Sequence, residues 1–196
     1  STHSLQICCA QQPATPAPRG ALDAAKAALD SEKIGYTLAL GILPLRERIA
    51  RHYKDVYGVD VPVERICITT GSSGGFQLAF LAAFEAGDRV ALASPGYPAY
   101  RNILSALGIE VVDLPTEAKD RFQPTVERLE AAGKLDGLIV ASPSNPTGTM
   151  LNAPAMGQLT GWCKTNGVRF ISDEIYHGIT YGHRAISALE SDPNTL

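Results

Sequence analysis

The sequence predicts an α/β fold with a mainly parallel sheet and helices on both faces. From residue 65 onward, short apolar runs alternate with segments of helical pattern. Strands separated from one another by helices pair in parallel through crossovers that cover the sheet. Clusters of turn-forming residues fall directly after the apolar runs, at the carboxyl ends where ligands of such sheets bind. A chain of 196 residues with 45% hydrophobic and 19% charged content can close a substantial core, which excludes extensive disorder.

Residues 1–20 are rich in Gln, Ala and Pro, and Pro13, Pro16 and Pro18 forbid a helix interior, so an extended arm is expected. The Ala-dense stretch 21–29 favours a helix. A loop at 35–41 leads to a second helix opened by Pro44 and running to Tyr57, with Ile49, Tyr53 and Val56 as its apolar stripe. Beyond it the pattern predicts strands at 66–70, 89–93, 110–114, 137–141 and 168–172. The predicted helices cover 75–84, 97–106, 125–132 and 153–166.

A net charge of -3, with no basic run, gives no footprint for a nucleic-acid backbone. Cys8, Cys9, Cys67 and Cys163 lack metal-ligand spacing and read as buried or incidental thiols. No apolar stretch has the length of a membrane span and the first residues lack the pattern of a secretory signal, so a cytoplasmic protein without membrane partners is expected.

Four constellations carry candidate chemistry. Residues 69–75, TTGSSGG, follow an apolar run and open a helix, where free amides and the helix dipole suit a phosphate. They match neither the GxxxxGK[ST] nor the GxGxxG pattern, and a plain helix cap explains them equally well. Residues 94–98, SPGYP, place Tyr97 where an aromatic face can meet a flat ligand, although packing explains such a tyrosine too. Residues 142–148, SPSNPTG, form a tight turn able to aim Asn145 inward. Residues 172–177, SDEIYH, set Asp173 and Tyr176 three positions apart at another strand end. Together these parts suit a planar ring bearing a phosphate, a protonated ring nitrogen and a phenolic oxygen. Pyridoxal 5'-phosphate has all of them, and a carboxylate facing its pyridine nitrogen makes a charge-assisted bond of roughly 1.5–3 kcal/mol.

On SPSNPTG and SDEIYHGITY above all, the sequence resembles class I/II aminotransferases of the fold type I pyridoxal-phosphate superfamily, from about Gln12 to Leu189. The resemblance implies the large domain of that fold, incomplete at the C-terminus, with residues 1–44 as arm and small-domain segment and 45–196 as a partial cofactor-binding domain. It implies Ser72 and Ser73 as phosphate ligands, Tyr97 as the residue stacked on the ring, Asn145 and Tyr176 as donors to the phenolic oxygen, and Asp173 as the pyridinium partner. Tyr36 resembles the tyrosine that reaches the phosphate of the other subunit in a homodimer. Amino acids and 2-keto acids are the implied substrates, in amino-acid metabolism.

Two departures stand out. Gln11 precedes Gln12 and Pro13 where relatives carry a Gly beside the substrate carboxylate. No lysine follows Lys164, so the Schiff-base lysine is absent, as is the carboxylate-clamping arginine, for which Arg184 lies too early. A fragment of an aminotransferase, inactive by itself, is the leading expectation. A β-lyase, decarboxylase or synthase on the same cradle, and a noncatalytic binding or dimerisation module, remain as alternatives.

Overall fold

The computed structural model describes residues 15–31 and 35–196. Gln11, Cys8, Cys9 and most of the expected arm lie outside the described residues. The chain divides into two compact units, Ser1–Leu38 and Ala39–Leu196. In the first, helix α1 spans Arg19–Ser31, so it begins two residues inside the stretch expected to be extended.

The second unit begins with α2, Leu43–Tyr57, which carries Pro44 in its first turn and ends at Gly58, whose φ of 71° no β-carbon opposes. Its inward stripe differs from expectation: Val56 is 40% exposed and Tyr57 takes the inner position beside Tyr53 and Ile49. Then follow α3 (Ser72–Ala83), β1 (Arg89–Ser94), α4 (Pro98–Ala106), β2 (Glu110–Pro115), α5 (Val126–Ala131), β3 (Gly137–Ala141), α6 (Ala153–Asn166) and β4 (Arg169–Asp173). The four strands pair in parallel in the order β2-β1-β3-β4.

Successive strand residues point to opposite faces, which divides the core in two. Val90, Leu92, Ile139 and Ile171 pack with Phe76 and Phe80 of α3 and Tyr100 and Leu104 of α4. Ala91, Leu138, Val140 and Phe170 pack with Leu129 of α5 and Met156, Leu159 and Cys163 of α6. The spacing of Met156, Leu159, Thr160 and Cys163 is that of one helix face, all four are buried, and burial pushes the Cys163 thiol up to about 12. Asn152 caps the start of α6 by accepting the Ala155 amide at 2.9 Å, and Gly167 ends it in the left-handed conformation.

One expected strand does not form. Residues 66–70 have a strand-like sequence, but a strand requires a ladder, and the Ile68 amide donates instead to the Leu40 carbonyl at 3.0 Å. Among the described residues this segment pairs with no strand of the sheet. Helix α3 starts three residues before its expected beginning, at Ser72, because the glycines at 74 and 75 are carried inside its first turn. On the outer side of β4 the Leu196 amide donates to the Phe170 carbonyl and its carbonyl accepts the Ser172 amide, at 3.3 and 2.9 Å. No helix among the described residues is long and apolar enough to cross a membrane.

Gly137 begins β3 where a β-carbon would fall on the ring edge of Phe84 and beside Val90. Gly137→Ala is therefore expected to destabilise the fold by about 1–3 kcal/mol through overpacking. A urea titration checks this, and an unchanged midpoint would show that Phe84 moves aside at no cost.

Candidate functional site

The parallel register sends the carboxyl ends of β1, β3 and β4 to one edge of the sheet, and each end runs into one of the turn-rich loops. The loop after β1 turns at Gly96, where a β-carbon would stand 2.5 Å from the Ala93 carbonyl oxygen, so no larger residue fits the bend. Tyr97 follows as the residue capping α4, half-buried, with its ring edge-on to Tyr100 at 5.5 Å.

Asp173 ends β4. Its Oδ2 accepts the Tyr100 hydroxyl at 2.5 Å and its Oδ1 accepts the Ile175 amide at 3.0 Å. Burial first, and then the adjacent Asp173 charge, holds the Tyr100 phenol far above its ordinary value, so it remains a donor. Tyr100 also packs edge-on against Phe76 of α3 at 5.1 Å, which ties α3 to the same cluster.

Asn145 and Tyr176 meet across two loops, with the amide nitrogen 3.4 Å from the phenolic oxygen. Gln123, 4% exposed, gives its amide to the Thr149 carbonyl at 2.9 Å and to the Ala141 carbonyl at 3.3 Å, clasping the 142–148 loop at both ends. A cavity of about 290 Å³ lies between the exits of β1 and β3, lined by Tyr97, Tyr100, Gln123 and Asn145. A second, of about 480 Å³, is lined by Asn145, Tyr176 and Tyr181. Among the described residues no lysine lines either.

Ser72 and Ser73 form the exposed first turn of α3 after Gly71, whose φ is 86°. Among the described residues no side chain caps the start of this helix. Its first amides, without partners inside the helix, are thus left facing outward as anion donors. Tyr36 belongs to the other compact unit and is fully exposed.

The structure thus joins Tyr97 to Asp173 through Tyr100, and Asn145 to Tyr176 directly. Sequence reasoning missed Tyr100 and Gln123. Tyr100 carried a usable signal, standing one turn inside a helix whose first residue is in a candidate site; Gln123 carried none, because a polar residue in a loop reads as exposed.

Further from the cavities, Arg184 bonds both oxygens of Glu190 at 2.8 and 2.9 Å and holds that carboxyl below its ordinary value of 4.5. Arg184 is thereby committed to a pair within its own loop.

These features define an α/β domain with a crevice at the carboxyl edge of its sheet, beside an aromatic cluster and a carboxylate that accepts two hydrogen bonds. The family described as aminotransferase class I and II matches residues 9–196. A valine–pyruvate aminotransferase of Mycobacterium tuberculosis is 54% identical over 173 residues, which are 88% of this chain and 45% of the relative. The crystal structure of an aminotransferase from Mycobacterium tuberculosis superposes with a TM-score of 0.91 at 50% identity, covering 95% of this chain and 52% of that one. Aspartate aminotransferase from Thermus thermophilus with maleate superposes at 0.89 with 29% identity, over 94% of this chain and 49% of that one. The chain belongs to the class I and II aminotransferase family and has the fold of its members. It spans about half the length of the curated relatives it matches.

Two predictions follow from the geometry. Tyr100→Phe keeps the ring packing but removes one donor from Asp173, at an expected cost of about 1–2 kcal/mol of stability. Equal thermal midpoints for the two proteins, measured without ligand, would mean that the bond contributes nothing. For Glu190, the folded state holds the carboxyl proton less tightly than the unfolded chain. The stabilisation is therefore fully present above about pH 4.5 and is lost as pH falls through the lowered folded value. The stability gap between wild type and Glu190→Gln should be widest near neutral pH and close on acidification, and a gap independent of pH would contradict the pairing.

Proposed function

We propose that this chain binds pyridoxal 5'-phosphate at the carboxyl edge of its sheet, and that the protein transfers amino groups from an amino acid to a 2-keto acid. The observation that carries this reading is Asp173: a carboxylate given two donors at a strand end, beside an aromatic cluster and a cavity. A carboxylate at that place is the natural acceptor for a protonated pyridine nitrogen.

Asp173 would face the ring nitrogen of the cofactor and Tyr97 would stack on its ring. Asn145 and Tyr176 donate to the phenolic oxygen. Ser72 and Ser73 take the phosphate with amides and hydroxyls at the start of α3, where the helix dipole favours an anion. When bound, the cofactor supplies an electron sink for the pair released at the substrate α-carbon. In this reading residues 45–196 belong to the cofactor-binding domain, and Tyr36 reaches the phosphate site of a second copy in a homodimer. The relative named for valine and pyruvate points to valine as donor and pyruvate as acceptor for the first assay.

The test uses the protein expressed from its complete gene. Absorbance titration with pyridoxal phosphate should give saturable binding, at least about tenfold weaker in Asp173→Ala. Valine and pyruvate should yield alanine and the keto acid of valine. Unchanged affinity in Asp173→Ala would overturn the cradle, and release of a product without an aminated acceptor would replace transfer with another reaction of the same cofactor.

A further inference from the structure

Asn145 and Tyr176 arrive from different loops, one leaving β3 and the other leaving β4. Their mutual contact of 3.4 Å is too long to hold the loops in register. A shorter link joins the same loops: Nε2 of His177, the neighbour of Tyr176, lies 2.9 Å from the Ser142 carbonyl oxygen. The His177 side chain is 9% exposed, so water competes little for this bond.

The tautomer follows from the partners. A carbonyl accepts and cannot donate, so Nε2 carries the hydrogen, and in the neutral ring Nδ1 is then a lone pair. The Tyr57 hydroxyl, 2.7 Å from Nδ1, is therefore the donor. Burial, and after it the charge of Glu174, keeps that phenol above its ordinary value and hence protonated. Tyr57 is held in turn by the Arg184 guanidinium, 5.1 Å above its ring. Glu174 has one oxygen 3.6 Å from Nδ1, while its other oxygen accepts from Ser172, Ser187 and the Ala188 amide. The ring of His177 is thus fixed from α2 on one nitrogen and grips the exit of β3 with the other.

We propose that His177 is a positioning residue of the ligand site: held in one tautomer by Tyr57, it clamps the 142–148 loop to the 173–176 turn and so sets the spacing of Asn145 and Tyr176. Two donors aimed at one oxygen must both lie within reach of the same point, and a shift of about 1 Å removes one of them. The proposal rests on the reading of these two side chains as donors to the phenolic oxygen of pyridoxal phosphate.

Three variants of the protein from its complete gene test it. His177→Ala removes both bonds, His177→Gln retains an N–H able to reach the Ser142 carbonyl, and Tyr57→Phe keeps the ring but removes the donor to Nδ1. The dissociation constant for pyridoxal phosphate should rise about tenfold in His177→Ala and about threefold in Tyr57→Phe, with most of the loss restored in His177→Gln. The absorbance band of the bound cofactor should titrate at higher pH in His177→Ala, because its phenolate has lost hydrogen-bond support. A second readout needs no cofactor: exchange of the Ser144 and Gly148 amides, bonded to the Thr149 and Ser144 carbonyls, should quicken in His177→Ala. Wild-type affinity, band and exchange in a folded His177→Ala overturn the proposal. Quickened exchange in a protein whose wild type does not bind pyridoxal phosphate supports the clamp and removes the cofactor reading instead. Should His177→Ala fail to fold, Tyr57→Phe decides: wild-type exchange and affinity there overturn the clamp, and faster exchange with weaker binding supports it.

Discussion

Ser142 is wholly buried at the exit of β3, and each of its polar groups must therefore be satisfied inside the protein. Its amide donates to the Asp173 carbonyl at 3.1 Å, its hydroxyl accepts the Leu151 amide at 3.0 Å, and its carbonyl accepts from His177. One residue thus fastens the end of β3 to the end of β4, to the segment entering α6 and to the imidazole beside Tyr176. Leaving any of the three groups unpaired would cost about 1–3 kcal/mol, which makes alternative placements of the loop unfavourable. The positions of Asn145, Asp173 and Tyr176 all descend from this obligation.

The sheet supplies the second constraint. Parallel pairing requires a crossover between neighbouring strands, and the crossover helices cover both faces with separate cores. The edge at the strand ends is left for loops, and side chains there answer to ligands more than to packing. Tyr100 stands where the two demands meet, with its ring in the core against Phe76 and its hydroxyl on Asp173. A carboxylate supported in this way has its direction set before any ligand arrives, which is the condition for preorganisation.

The carboxyl edge of the sheet is furnished with groups that keep their places. The open first turn of α3 offers amides, the 142–148 loop is clasped by Gln123 at both ends, and the 173–176 turn is closed by the Ile175 amide on Asp173. The last two of these give a backbone group that a loop would otherwise expose a partner within the protein. The rigidity is thus achieved with hydrogen bonds local to the edge, without enlarging the core.

The sequence alone determined the alternation of elements, because the apolar periods that define 137–141 and 153–166 are local properties, and β3 and α6 occupy those residues. It also marked SPSNPTG and SDEIYH as candidate loops, and both lie at the carboxyl ends of strands, after β3 and β4. It could not decide the segment at 66–70, where the pattern is that of a strand but the ladder depends on a partner distant in sequence. Nor could it reveal the bond from Tyr100 to Asp173, the clasp of Gln123 and the link from His177 to Tyr57, which span 73, 18 to 26, and 120 residues. Periodicity reports which side of an element is apolar. Which polar group meets which across the sheet edge is decided by packing, through the need to pair every group that packing removes from water.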